Sequence, residues 1–460
     1  HDAPIYSRSS LSRGTKISGP ALLVEKNSTI VLEPGWVGQI DDAGNLILEC
    51  LRVSQLRHHS DSVERDPIRL ELFANLFMQI AEEMGLELES TASSVNIKER
   101  LDFSCAIFDG SGDLIANAPH MPVHLGSMGE SVRAVKRAFV GHLSSGDAFV
   151  VNDPYLGGTH LPDVTVVSPV FLPGARQPVF FVASRGHHAD IGGTTPGSMP
   201  PFSVRLEEEG ICIPPSRLVS AGQFHEREIR ELLTQGPYPS RNPEQNINDL
   251  RAQVSANQKG VLALLEASSR HGSKTLCDYM GYILDYAESR MRSVIKTLKE
   301  GHFVQRLDNG AVIRVSVRIE HDSGSCEIDF SGSSRALRNN FNCPRAVVRA
   351  AVLYVFRTLV RDDIPLNEGC LRPISVKIEG GSMLDPEFPS AVVAGNVETS
   401  TCLVNAIFGA LGVMASSQPT MNNLSFGNDC HQYYETLAGG GGAGGVFDAG
   451  GLSLIHISEP

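Results

Sequence analysis

Segments with helical spacing and segments with strand patterning follow one another along this chain in an irregular order. An apolar stripe at helical spacing runs from 67 to 85, after an Asp66-Pro67 start that is typical of a helix N-terminus. The elements predicted after it are a hairpin at 103–117, strands at 147–153, 163–171, 178–184 and 312–319, and helices at about 244–268, 275–299 and 344–361. Because the order shows no regular strand–helix–strand alternation, we predict a mixed α and β (α+β) class with a large multi-layer body.

The two ends differ from this body. Residues 1–50 hold short β-type runs separated by Gly and Pro turns, so we expect a small N-terminal β segment there. Residues 51–66 are polar and charged and are predicted to be a linker. A glycine run at 439–445 lacks the Lys-Ser/Thr of a phosphate-binding loop, and residues 451–460 resemble a translated read-through tail. We therefore expect a fragment of a longer reading frame.

Composition excludes several classes of function. The 460 residues include 52 acidic and 39 basic side chains, and a net charge of −13 argues against binding to nucleic acid. The longest apolar stretch, 347–360, contains two arginines and is too short to span a bilayer, so no membrane role is expected. Nine cysteines without a CxxC pair are typical of a reducing compartment. We predict a cytoplasmic protein.

Histidines and acids concentrate in two blocks that follow apolar strand-like runs. The first block, 152–163, contains His160 and Asp163 three residues apart. An earlier segment, predicted to be a loop, carries His120 and His124. Imidazole and carboxylate groups together suit Mn, Fe or Zn, and His160 and Asp163 can face one ion if the chain turns between them.

The second block, 184–193, contains His187, His188 and Asp190. Neighbouring side chains of an extended strand point to opposite faces, so only one of the two histidines is expected to join such a site. A site of this kind would leave open positions for a water or a carbonyl oxygen, as metal-assisted hydrolysis requires. The spacing alone leaves a second interpretation open, in which these side chains only form hydrogen bonds within loops.

Longer motifs make the sequence recognisable. They are NIKERLDFSC at 96–105, NAPHMPVHLGSM at 117–128, GTHLPD at 158–163, ASRGHHADIGG at 183–193, PGSMPP at 196–201, DLRAQV at 249–254, GNVETS at 395–400, TMNN at 420–423 and YYETLAGG at 433–440. By these motifs the chain resembles the hydantoinase B/oxoprolinase family from about residue 67 to 450, most closely its 5-oxoprolinase type.

The resemblance implies a domain organisation and an activity. Residues 1–50 would be the C-terminal end of the family's A-type part, and 67–450 a B-type domain of a fused A–B chain. The activity implied is ATP-dependent opening of the 5-oxo-L-proline ring to L-glutamate, a step of glutathione metabolism, with ATP and Mg used by the A-type part. Implied partners are that A-type half, the small-molecule substrate and, in a homo-oligomer, further copies of the chain.

Site residues follow from the same resemblance. Relatives such as the acetone carboxylases carry a metal in an HxxD context, which implies that His160, Asp163 and His187 are the ligands. Asp190, a further candidate ligand, and His188 are assigned catalytic roles. The remaining two candidates, His124 and Arg185, are predicted to contact substrate, since a guanidinium suits the carboxylate of 5-oxoproline.

Two other readings of the family resemblance stay open. In the first, the chain is a subunit of an ATP-dependent hydantoinase or a ketone carboxylase. In the second, it is an inactive, metal-stabilised partner subunit.

Overall fold

The structure is a computed structural model that describes residues 3–51, 65–118, 120–361, 364–414, 416, 419–421, 423–428 and 432–436. Tertiary contacts divide the chain into two compact units, with the division between residues 64 and 65. Most of the predicted linker, the glycine run at 439–445 and the tail predicted at 451–460 lie outside the described residues. The assignment of 1–50 to an A-type part stays a prediction.

The first unit is built from short strands, as its Gly and Pro turns predict. They are β1 (Ile5–Ser7), β2 (Lys16–Ser18), β3 (Ala21–Val24), β4 (Thr29–Leu32), β5 (Trp36–Ile40) and β6 (Leu46–Cys50). They form two three-stranded sheets, in the orders β1-β3-β4 and β2-β5-β6. The small core of the unit is made by Ile17, Ala21, Leu23 and Leu32.

The second unit contains a seven-stranded sheet. Its strands are β7 (Phe103–Asp109), β8 (Leu114–Asn117), β9 (Ala148–Val151), β10 (Asp163–Val170), β11 (Phe180–His187), β12 (Ser216–Ser220) and β13 (Gln223–Phe224). The strand order is β13-β12-β9-β10-β11-β7-β8, and every neighbouring pair is antiparallel. β10 and β11 therefore lie side by side at the centre, and the start of β10 meets the end of β11 at one edge.

Helices surround this sheet and a second one. They are α1 (Pro67–Thr91), α2 (Val95–Lys98), α3 (Pro122–Ala138), α4 (Glu226–Leu233), α5 (Pro243–His271), α6 (Ser273–Ile295), α7 (Arg345–Leu359) and α8 (Ser400–Leu411). The first helix starts as predicted, with the Asp66 carboxylate accepting a hydrogen bond from the Ile68 N–H at 2.9 Å. The predicted helices at about 244–268, 275–299 and 344–361 correspond to α5, α6 and α7.

Both faces of the central strands are covered. Phe149 and Val167 belong to a core with side chains of α3, whereas Val150 and Val166 belong to another core with side chains of α5. Alternate residues of a strand point to opposite faces, so a strand covered on both sides needs apolar residues at nearly every position. This is why β9, β10 and β11 are buried along their whole length.

A second sheet forms the other half of the body. It contains β14 (Gly301–Arg306), β15 (Val312–Glu320), β16 (Ser325–Asp329) and β17 (Ile374–Lys377), and only β16 and β17 pair in parallel among these neighbours. Residues of α6, α7 and α8 pack on it in one large core. The hairpin β18 (Asn423–Gly427) and β19 (Gln432–Thr436) follows. The predicted α+β class is confirmed.

Helix α3 differs from the expectation of a loop at 119–126. Its first turns hold Gly126 and Gly129, which have low helix propensity, so the local sequence does not predict a helix. A Cβ at Gly126 would lie 2.5 Å from the Cα of Ala350 in α7, so the glycine permits the two helices to cross closely. Tertiary packing thus overrides propensity here, and it places His124 in the first turn of a helix.

Candidate functional site

The centre of the site is a cross-strand pair. Asp163, the first residue of β10, lies opposite His187, the last residue of β11. Their side chains are both buried, and Asp163 Oδ1 is 3.0 Å from His187 Nδ1. Antiparallel pairing explains this contact, because the start of one strand and the end of the next share one edge of the sheet.

The segment before β10 brings a second histidine to the same carboxylate. His160 Nε2 is 3.1 Å from Asp163 Oδ1, and the Thr159 hydroxyl donates to Asp163 Oδ2 at 2.5 Å. Buried Asn152 holds this segment, since its amide donates to the Leu161 carbonyl at 2.7 Å. The chain therefore turns between His160 and Asp163, as a shared ion would require.

Helix α3 supplies a third histidine. His124 Nε2 lies 3.3 Å from Asp163 Oδ2, and its Nδ1 lies 3.3 Å from the Ser104 hydroxyl. The side chain is 2% exposed, so it is part of the buried cluster and not of an open pocket wall. Of the sequence-predicted site residues, the structure brings together His124, His160, Asp163 and His187.

Neighbouring side chains shift the pKa values of Asp163 and His187. Burial alone would raise the pKa of Asp163, but the neighbouring His160 and His124 hold it well below its usual value. Burial lowers the pKa of His187, yet its hydrogen bond to Asp163 and the charge of Asp102 raise it overall. The centre thus contains a carboxylate that stays ionised at neutral pH.

One ligand atom from each of His160, Asp163 and His187 lies within 4.8 Å of the other two. Two imidazoles and a carboxylate are a donor set that suits Mn, Fe or Zn. His160 Nδ1 is buried and has no hydrogen-bond partner among the described residues, so protein contacts do not satisfy both nitrogens of this ring. The residues present therefore fit a divalent metal, although the metal role itself stays a prediction.

Two residues beside the cluster were missed by sequence reasoning. Asp102 approaches it, with carboxylate oxygens 3.9 Å from His187 Nδ1 and 3.9 Å from His124 Nε2. The available signal was its position just before β7, the neighbour of β11 in the sheet. Asn396, whose amide nitrogen is 3.3 Å from His160 Nε2, is 236 residues away in sequence, and no local pattern indicates its contact.

The structure places His188 and Asp190 away from the cluster. The ring nitrogens of His188 contact Gln253 and Asn246 of α5, at 3.2 and 3.0 Å, and burial lowers its pKa. Both Asp190 oxygens are occupied, by backbone N–H groups and by the Arg241 guanidinium at 2.9 Å. Each side chain is therefore already engaged in the scaffold, and the catalytic roles remain untested predictions.

Arg185 is fully buried on the α3 face of the sheet. Its guanidinium donates to the hydroxyls of Thr165, Ser127 and Ser131 at 2.7, 2.5 and 2.8 Å, and to the Gly157 carbonyl at 3.4 Å. Burial lowers its pKa to about 10. These bonds join α3 to β10 and leave the guanidinium no exposed surface for a substrate carboxylate.

Comparison with known proteins identifies the family. The family model described as "Hydantoinase B/oxoprolinase" matches residues 66–459. The chain belongs to the hydantoinase B/oxoprolinase family. The resemblance seen in the motifs is thereby confirmed, and the match covers all but the first residue of the described part of the second unit.

Two 5-oxoprolinases that the chain matches are much longer than the chain. It is 42% identical to 5-oxoprolinase 1 of Arabidopsis thaliana and to 5-oxoprolinase of Dictyostelium discoideum. These matches cover 100% of the chain but only 38% and 36% of the two relatives. Among solved structures, the ATP-dependent caprolactamase from Pseudomonas jessenii superposes with a TM-score of 0.70 at 25% identity, covering 81% of this chain and 66% of that one.

Among the residues that the structure describes, no helix is long and apolar enough to cross a membrane.

Proposed function

We propose that the chain is the B-type part of an ATP-dependent hydrolase that opens 5-oxo-L-proline to L-glutamate. Whole-chain identity of 42% to proteins named 5-oxoprolinase supports the substrate. Similarity to a caprolactamase, another enzyme named for a cyclic amide, supports the reaction class. The missing A-type part would bind ATP and Mg and would phosphorylate the lactam carbonyl. Overall, two water molecules are used: one hydrolyses the ring C–N bond, and the other is accounted for by the hydrolysis of ATP to ADP and phosphate.

The observation that carries the proposal is the buried carboxylate shared by two histidines. His160 and His187 approach the same oxygen of Asp163 at 3.1 and 3.0 Å. These three side chains would hold the metal, with Asp102 beside them as a further carboxylate. A divalent ion in such a set polarises a carbonyl or activates water.

The chain's own residues orient this centre. The Thr159 hydroxyl and His124 occupy the second oxygen of Asp163, which leaves the first oxygen directed at His160 and His187. Arg185 fastens α3 to β10 and thereby keeps His124 close to Asp163. We assign Arg185 to this positioning role. His188 and Asp190 would act through the loop that follows β11, with no direct contact to the ion.

Metal analysis tests the centre. Purified chain should contain about one equivalent of Mn, Fe or Zn, and Asp163→Ala or His160→Ala should lose it, since removing a true ligand lowers affinity by a large factor. His142→Ala, an exposed histidine outside the cluster, is the matched control and should keep the metal. Equal metal content in all four proteins would refute the proposed centre.

Substrate-dependent ATP hydrolysis tests the activity. The complete protein, with its A-type part, is assayed with 5-oxo-L-proline, hydantoin and acetone. We expect stimulation by 5-oxo-L-proline together with release of L-glutamate. Stimulation by hydantoin or acetone alone would instead assign the chain to a hydantoinase or a ketone carboxylase, and a metal-containing protein without any stimulation would indicate an inactive partner subunit.

The remaining parts of the proposal concern setting and assembly. A cytoplasmic location within glutathione metabolism follows from the proposed substrate, and the A-type half and further copies of the chain are the proposed partners. The thiols agree with a reducing compartment, because every cysteine in the described part of the chain is free.

A further inference from the structure

Asn396 reaches the site from the other half of the body. It lies in a π-helical turn, Gly395–Thr399, that leads directly into α8. Its amide nitrogen is 3.3 Å from His160 Nε2, and the side chain is 7% exposed. Single π-helical turns occur frequently at functional sites.

The position of Asn396 is held by a network of backbone contacts. The N–H groups of Ala394 and Gly395 donate to the Asn340 carbonyl at 3.0 and 3.2 Å. The Thr399 hydroxyl donates to the Phe341 carbonyl at 2.7 Å. The turn is therefore anchored at both ends, and the approach of Asn396 to His160 is part of the fold and not a chance contact of a mobile side chain.

The hydrogen bonds around His160 cannot all be made at once. Its Nε2 faces an ionised oxygen of Asp163 at 3.1 Å, which requires a proton on that nitrogen. The same Nε2 faces an N–H of Asn396, which requires a lone pair there instead. In addition, Asn396 Oδ1 is buried with no partner among the described residues. Buried polar atoms are nearly always paired, so the unpaired Oδ1 of Asn396 beside His160 points to a ligand at this centre.

A cation at this point would resolve the conflict at His160 Nε2 and would give Asn396 Oδ1 a partner. It would accept the Nε2 lone pair of His160 and would bind the oxygen of Asp163. A half-turn of the Asn396 carboxamide exchanges its nitrogen and oxygen and directs Oδ1 toward the same point. With metal–ligand bonds of about 2.1 Å, neighbouring ligand atoms lie roughly 3.0–3.4 Å apart, and both contacts of Nε2 fall in this range.

We propose that the carboxamide oxygen of Asn396 is a further ligand of the cation held by His160, Asp163 and His187. The inference rests on the metal centre proposed above and extends it to the second half of the body. Carboxamide oxygen is a hard ligand, so its addition favours Mn or Fe over a thiolate-seeking ion. The metal would then connect α8 to the edge of the seven-stranded sheet.

Metal titration of the purified chain tests this role without any assay of activity. Mn²⁺ is titrated into the metal-free chain by calorimetry, and Zn²⁺ by competition with a chelator. Asn396→Ala should weaken binding at least about 10-fold, whereas Asn396→Asp, which keeps an oxygen in place, should bind within a few-fold of wild type or more tightly. If Asn396→Ala does not fold by circular dichroism, the near-isosteric Asn396→Leu replaces it.

A matched control is available in α5. Asn257 is also buried, donates through its amide to the Val166 carbonyl at 3.0 Å, and has an unpartnered Oδ1 among the described residues. Asn257→Ala should leave metal affinity unchanged.

Wild-type affinity in Asn396→Ala, with binding lost in His160→Ala, would overturn the role of Asn396 alone. Equal weakening in Asn396→Ala and Asn396→Asp would overturn it as well. Absence of binding in wild type would refute the centre itself and this inference with it.

Discussion

Replacement of Arg185 by methionine distinguishes a buried scaffold residue from a substrate contact. Methionine keeps most of the side-chain length but removes the charge and all donors. Because the guanidinium has no exposed surface, we expect a loss of stability and no specific loss of ligand binding.

The magnitude follows from two opposing contributions. Three hydrogen bonds shorter than 3 Å are lost, to Thr165, Ser127 and Ser131. At about 1.5–3 kcal/mol for each bond to a charged group, they sum to about 4.5–9 kcal/mol. Against this, burial lowers the Arg185 pKa to about 10, from an ordinary value of about 12.5, so removing the charge recovers about 3.4 kcal/mol. The net expectation is a destabilisation of roughly 1–6 kcal/mol.

Urea unfolding followed by far-ultraviolet circular dichroism measures this change in the second unit. The single tryptophan, Trp36, lies in β5 of the first unit, so its fluorescence reports separately on a unit that should not respond. Arg205→Met is the matched control, because the Arg205 side chain is exposed and forms a surface ion pair with Glu207. It should change stability by less than about 0.5 kcal/mol.

Two results would refute the reasoning. Wild-type stability in Arg185→Met would mean that the hydroxyl contacts contribute nothing beyond the desolvation cost. A variant that folds normally and loses binding of 5-oxo-L-proline, measured by calorimetry on the complete protein, would support the prediction that Arg185 contacts substrate. Arg185→Lys should resemble methionine, because one ammonium group cannot span three hydroxyls on two elements.

Three further predictions concern the scaffold. Burial raises the pKa of Glu209 to about 7. The protonated side chain therefore stabilises the folded chain fully below pH 4.5, its ordinary pKa. This contribution to the free energy of unfolding, up to about 3.4 kcal/mol, is lost as the pH rises to about 7. Glu209→Gln should flatten that part of the stability–pH curve, and an unchanged slope would contradict the assignment. Gly157→Ala should lower the free energy of unfolding by more than about 2 kcal/mol in chemical denaturation, because the φ of Gly157 is +97° and a Cβ would lie 2.5 Å from the Glu130 carbonyl carbon. Gly174→Ala is the control: its φ is +81°, but no atom lies within 4 Å of an added Cβ, so it measures the backbone cost alone, about 1 kcal/mol. Asp66→Ala should cost about 1 kcal/mol by removing the N-cap of α1, and equal thermal melting of variant and wild type would contradict that role.

Much of the fold is readable from local patterns. The apolar stripe after Asp66 predicts α1, and the continuous apolar runs predict β9, β10 and β11, because a strand buried on both faces leaves no room for alternation. Helix α3 was not readable in this way. Its glycines disfavour a helix in isolation, and only close packing against α7 makes them favourable.

The candidate site also has one part that local sequence predicts and one part that only the tertiary structure reveals. Spacing of His160 and Asp163, together with the block at 184–193, is local information that is compatible with a metal site or with hydrogen bonds within loops. The choice between His187 and His188 depends on strand alternation, which directs one toward Asp163 and the other toward α5. The hydrogen bonds of Arg185 could not be predicted, because Ser127 and Ser131 lie on a helix that the sequence does not indicate.

By itself, the sequence determined the family, the α+β class and the two blocks that carry imidazole and carboxylate groups. Motifs and periodicity are properties of residues close together in the sequence, so the sequence alone reveals them. Only the tertiary structure shows that His124 joins the cluster and that Arg185 is fully buried. It also shows that Asn396 contacts His160, from which it is 236 residues away in sequence. These contacts depend on antiparallel register and on helix packing, which bring distant residues together and leave no trace in local spacing.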